Sequence, residues 1–134
     1  MTGVSIPVPE DVDPFDLPEH LGTGEVTWAA DDGLHCGYLV RGQLQPAVGE
    51  RLACDLLAVD EAYPLPVADD SLRLRTHQAW RHGQVHLVSY GGRLTILVPG
   101  TAFTAEIVLD AIGRLAKALG ASPSSFAVHL RLGT

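Results

Sequence analysis

Val85-His86-Leu87-Val88-Ser89-Tyr90-Gly91-Gly92-Arg93-Leu94-Thr95-Ile96-Leu97-Val98 is the stretch whose reading decides the fold. Two β-type runs meet at Gly91-Gly92, and a glycine at both central positions allows the positive φ angles of a type I′ turn. That turn sets the register. Tyr90 faces Arg93, Ser89 faces Leu94, Val88 faces Thr95, Leu87 faces Ile96 and His86 faces Leu97. One side then carries Val85, Leu87, Leu94, Ile96 and Val98 and is a core face. The other carries His86, Val88, Tyr90, Arg93, Thr95 and Leu97, a mixture of apolar and polar groups.

Working outward toward the C-terminus, Thr101 to Leu119 reads as a helix. Ile107, Val108, Ala111, Ile112, Leu115 and Leu119 form an apolar stripe, with Glu106, Asp110, Arg114 and Lys117 opposite. Gly120 and Pro123 end it. Phe126 to Leu132 alternates Phe126, Val128, Leu130 and Leu132 with Ala127, His129 and Arg131, the pattern of a half-buried strand. Toward the N-terminus, Asp69-Asp70-Ser71 offers an N-cap for a helical stretch up to His82, which Gly83 closes. Pro46 to Tyr63 reads as another helix, because Leu52, Leu56, Val59 and Tyr63 repeat at steps of four, three and four. Glu25–Ala30 and Leu34–Val40 flank Asp31-Asp32-Gly33 and read as a hairpin.

Pro7, Pro9, Pro14 and Pro18 keep residues 1–24 from forming any long helix. Val4, Ile6, Val8, Phe15, Leu17 and Leu21 interleave with acids there, more apolar side chains than a disordered tail carries. The expectation is a docking arm, residues 1–24, ahead of one α+β domain, residues 25–134. From Leu34 onward the element order is β, α in two pieces, β, β, α, β. The expected fold is therefore a ferredoxin-like split βαβ sandwich, an antiparallel sheet with helices on one face, preceded by the extended acidic arm and an extra strand.

Composition narrows the function classes. The chain of 134 residues is long enough to bury a core without metal or disulfide staples. Its mean hydropathy is +0.16, yet no apolar run approaches the ~18–20 residues of a membrane span. The surplus is expected in the core or a subunit interface. Met1-Thr2-Gly3-Val4-Ser5 lacks the basic and apolar regions of a secretory leader. Cys36 and Cys54 stand in no C-x-x-C and read as free structural thiols of a reducing, cytoplasmic compartment. A single lysine (Lys117) among many arginines, with no asparagine, reads as codon bias of a high-GC bacterial genome.

The net charge of −7 is unevenly placed. Residues 1–32 carry acids and no base, whereas Ser71–Ala105 carries Arg73, Arg75, Arg81 and Arg93 and no acid. An acidic whole chain argues against nucleic acid, even with Trp80 and Tyr90 near those arginines. Common nucleotide-binding and hydrolase motifs are absent from the sequence. His77, His82 and His86 match no standard zinc spacing, so no metal and no cofactor is expected. Asp60-Glu61 and Asp69-Asp70 read as caps and solvated charges. Ser89 and His86 point to opposite faces and cannot form a nucleophile–base pair.

The expectation from these residues is a non-catalytic module, a homodimer that binds another protein as an adaptor, chaperone or regulatory subunit. Phe15, Leu17 and Leu21 of the arm are its candidate docking residues, and the arm is expected to lean on the Arg73–Arg93 region. The alternative is a ligand-binding protein or enzyme that uses an open sheet face carrying His86, Tyr90, Arg93, His129 and Arg131.

Overall fold

Gly91 and Gly92 adopt φ angles of 62° and 78°, and the hairpin they close has the register that such a turn demands, from Tyr90↔Arg93 to His86↔Leu97. In the computed structural model, which describes residues 9–31, 39–60 and 69–129, this hairpin belongs to a much larger sheet. The elements follow in the order β1 (Glu10–Asp11), β2 (Val26–Ala30), β3 (Leu39–Val40), β4 (Gly42–Pro46), β5 (Leu52–Ala58), α1 (Asp70–Arg81), β6 (His86–Tyr90), β7 (Arg93–Val98), α2 (Ala105–Ala118) and β8 (Phe126–His129). Single 3-10 turns span Pro14–Asp16, Glu19–Gly22 and Pro123–Ser125.

The class is mixed α+β; the described residues form an eight-stranded sheet ordered β1-β6-β7-β5-β4-β2-β8, with β3 paired to β5. β5–β7 and β2–β8 run parallel and the other pairs antiparallel, so the sheet is mixed rather than antiparallel. The expected split βαβ arrangement holds only in part. β6-β7-β5 lie together, but β4 and β2 stand between them and the final strand β8.

The two helices are not on one face. α2 sets Val108, Ala111, Ile112 and Leu115 into the main core with Leu56, Leu87, Ile96 and Trp28. α1 covers the opposite face, where Leu72 joins Leu57, Val59, Val88 and Leu97 in a second cluster. The hairpin face expected to be open is therefore partly covered, with Val88 and Leu97 fully buried. The sequence pattern showed that this face was half apolar but not that a helix from the same chain covers it.

Of the expected helix Pro46–Tyr63, residues 61–63 lie outside those described, and the rest is instead the end of β4, a turn and β5 with the residues after it. Leu52, Leu56 and Val59 fall at helical spacing by coincidence. Leu52 to Val59 is a nearly continuous apolar run, the pattern of a central strand buried on both faces. The expected hairpin partner of β2 is also different. β2 pairs with β4, Ala30 opposite Gly42, and residues 32–38 lie outside those described. Gly42 is a close approach, since a Cβ there would stand 2.5 Å from the Trp28 ring. That ring is fully buried, and its Nε1–H donates to Cys54 O at 2.8 Å.

The helices at Asp70–Arg81 and Ala105–Ala118 form as their caps dictate. Asp69 accepts from Leu72 N–H and Thr104 from Ile107 N–H. Cys54 is a free thiol, fully buried, and burial pushes its pKa up. Cys36 lies outside the described residues.

Candidate functional site

The arm residues are tied to the body at several points. β1 pairs with the outer side of β6, Glu10 opposite Ser89 and Asp11 opposite Val88. Val12 N–H continues the pairing to Leu87 O at 2.9 Å. Leu21 is fully buried in the main core, with Val12 and Leu17 packed against it. Phe15 is the exception at 91 % exposure. It sits on the Pro14–Asp16 turn, which Asp13 caps by accepting from Phe15 N–H.

Charge supplements this attachment, from the acid-free stretch as expected. Asp11 forms an ion pair with Arg75 and a hydrogen bond with His86 Nε2, the latter at 3.0 Å. The His86 contact is the largest influence holding the Asp11 carboxyl below its ordinary value; burial opposes it and Arg75 adds to it. His86 Nδ1 lies 2.9 Å from Thr76 Oγ1, which also donates to Leu72 O at 2.9 Å. The single Thr76 hydroxyl hydrogen lies between two acceptors, Leu72 O and the His86 ring, whereas the Asp11 carboxylate only accepts and so takes its hydrogen from Nε2–H. His86 thereby clamps β6 to both α1 and the arm.

Arg93 is also part of an internal pair. It meets Asp55 through Nε at 2.8 Å and Nη2 at 2.9 Å, and Nη2 donates to Gly42 O at 3.2 Å. Asp55 accepts in turn from Gly42 N–H. The Asp55 carboxylate holds the Arg93 guanidinium more firmly protonated than usual. This fork joins β7, β5 and β4 on the face that α1 partly covers. Asp60 is a third junction, accepting from Gly100 N–H at 2.8 Å and pairing with Arg73 and His77. Burial raises its carboxyl, but the hydrogen bonds from His77, Gly100 and Arg73 outweigh that and hold it below the ordinary range.

The candidate ligand set of the open face is therefore dispersed. His86 and Tyr90 lie on β6 and Arg93 on β7, with Tyr90 packed against the second cluster. His129 is exposed on β8, beyond β5, β4 and β2, about 19 Å from β7 at ~4.8 Å per strand. Arg131 lies outside the described residues. Asp55, Thr76 and Asp11 were not singled out from sequence. A lone acid inside the apolar run Leu52–Val59 was the available signal for Asp55, since a buried carboxylate requires a cation.

What remains on the surface is a chain of shallow clefts. One of about 600 Å³ lies between the arm and the end of α1, among Asp11, Arg75, Arg81, His82 and His86. A second, of about 470 Å³, adjoins it at His82, Gln84 and Val85 and is walled by Phe15, Arg114 and Lys117. A third, of about 350 Å³, continues past Phe15 and Lys117 to Leu17, Pro18 and Leu119. Among the described residues no group of three or more His, Cys, Asp or Glu side chains is placed to hold a metal ion, and no helix is long and apolar enough to cross a membrane. No protein-family model, curated protein or solved structure matches this chain.

Proposed function

We propose that the chain is a non-catalytic protein-interaction module that acts as a homodimer, joined edge to edge through β8. The observation that carries this reading is the contrast between the two ends of the sheet. At one end β1 is two residues long, follows Pro9 and carries Glu10 and Asp11, all features that discourage a further strand. At the other end β8 presents Phe126-Ala127-Val128-His129, with no proline, lysine or carboxylate. Among the described residues, nothing pairs with its outer side.

The mixed hairpin face packs against α1 and lends a dimer no support. The involvement of His86 and Arg93 in internal clamps supports a non-catalytic role. The free, buried Cys54 thiol fits a reducing compartment such as the cytoplasm.

Light scattering tests the dimer. The expected particle at micromolar concentration is twice the 14.3 kDa of the chain. Ala127→Lys with His129→Lys places like charges on two exposed edge positions and is expected to give a folded monomer. A wild-type monomer at that concentration overturns the reading.

A further inference from the structure

The three clefts share walls and so form one trough. The first two meet at His82, Gln84 and Val85, and the second and third meet at Pro14, Phe15 and Lys117. An elongated trough suits an extended chain better than a compact metabolite, which prefers an enclosed site.

Its two ends differ in chemistry. At one end stand Arg75, Arg81, His82 and His86, and among the described residues the only carboxylate lining that cleft is Asp11, already engaged by Arg75 and His86. No ion pair forms at Arg81 or Lys117 among the described residues. In a chain of net charge −7, this is a local reversal of sign. At the other end Leu17, Pro18, Ala118 and Leu119 line the cleft, with Glu19 and Lys117 as its charged residues.

Phe15 stands between the ends at 91 % exposure while its arm neighbour Leu21 is fully buried. Pro14 and the Asp13 cap hold the turn that displays it. The wall behind is also fixed, because the Arg114 guanidinium lies 3.9 Å above the Trp80 ring and donates to Trp80 O and Gln84 O.

We infer that this trough docks an extended segment of a partner protein, acidic where it crosses Arg81 and His82 and apolar where it crosses Phe15 and Leu119. The inference supplies the partner chemistry for the interaction-module reading and rests on it, but not on pairing at β8. A long nucleic acid fits less well, because the apolar end and the chain's overall charge both disfavour a polyanion.

Fluorescence anisotropy on the full chain tests it. The probe is a labelled peptide with a run of glutamates followed by leucines alternating with serines. The comparison probes replace the glutamates by lysines, replace the leucines by serines, or are a labelled oligothymidylate. The glutamate–leucine peptide is expected to bind saturably, and each comparison probe at least about tenfold more weakly. Arg81→Glu is expected to weaken binding about tenfold at low salt and much less at about 0.5 M salt, where exposed charges are screened. Phe15→Ser is expected to weaken it at either salt concentration. Both positions are exposed, so the fold is expected to survive, and light scattering on the same samples reports the dimer separately. No binding of the glutamate–leucine peptide, equal binding of the lysine peptide, tighter binding of the oligothymidylate, or unchanged affinity in both variants overturns the inference.

Discussion

Two arginine–carboxylate pairs lie on the same side of the sheet and differ mainly in burial. Asp55 has a side chain 4 % exposed, and Arg93 grips both its oxygens while Gly42 N–H supplies a further donor. Asp11 is 60 % exposed, and its arginine, Arg75, is 47 % exposed. The first pair joins three strands in the interior of the sheet. The second fastens a two-residue strand to its rim. Coulomb attraction is similar in kind, but water competes for the second pair and hardly for the first. Breaking the first strands a charge without solvent, whereas breaking the second returns both charges to water.

The largest expected effect comes from breaking the interior pair on one side only. Arg93→Ala leaves the Asp55 carboxylate buried with the Gly42 N–H and is expected to cost about 3 kcal/mol, the low end for a buried pair because Arg93 is itself partly exposed. Urea titration reads this as a lower midpoint. Asp55→Leu combined with Arg93→Met is expected to recover much of the loss. If Arg93→Ala is neutral, the distinction between the two pairs fails.

Arm attachment through apolar contact is expected to rank next. Leu21→Ala removes a fully buried side chain and is expected to cost about 2–4 kcal/mol in the same titration. A cost comparable to that of an exposed position means that the arm is not part of the core.

The rim pair is expected to contribute less. Asp11→Ala is expected to cost below about 1 kcal/mol, with the effect shrinking as salt is added. A loss as large as that of Arg93→Ala shows that His86, with a side chain only 11 % exposed, makes this a buried clamp after all.

The smallest effect is expected from acid. Asp11 and Asp60 have folded pKa values below the ordinary 3.8, so each contributes stability that is fully present above that value and is lost as pH falls through the lower folded value. The melting temperature is expected to hold between pH 7 and about 5 as far as these two groups are concerned, then to fall below about pH 4. Asp60→Asn is expected to flatten that acid limb, and an unchanged limb removes Asp60 from the account.

Local chemistry made much of the fold legible. Gly91-Gly92 gave one hairpin one register, because glycine φ angles and strand twist are properties of a few adjacent residues. The cap at Asp69, the stripe from Val108 to Leu115 and the alternation from Phe126 are likewise short-range signals, and each names its element. The apolar content of the arm was legible too, and Leu21 is buried in the main core of the same chain. Tertiary structure decided the rest. β5 is a strand because it lies between β7 and β4, where both its faces are buried, and helical spacing at Leu52, Leu56 and Val59 holds no information about those neighbours. The partner of Arg93 is 38 residues away, and those of Arg75 and His86 are 64 and 75 residues away. Pairing at such separations depends on which faces the strands and helices turn toward one another, a property of the assembled core that single-sequence periodicity does not encode.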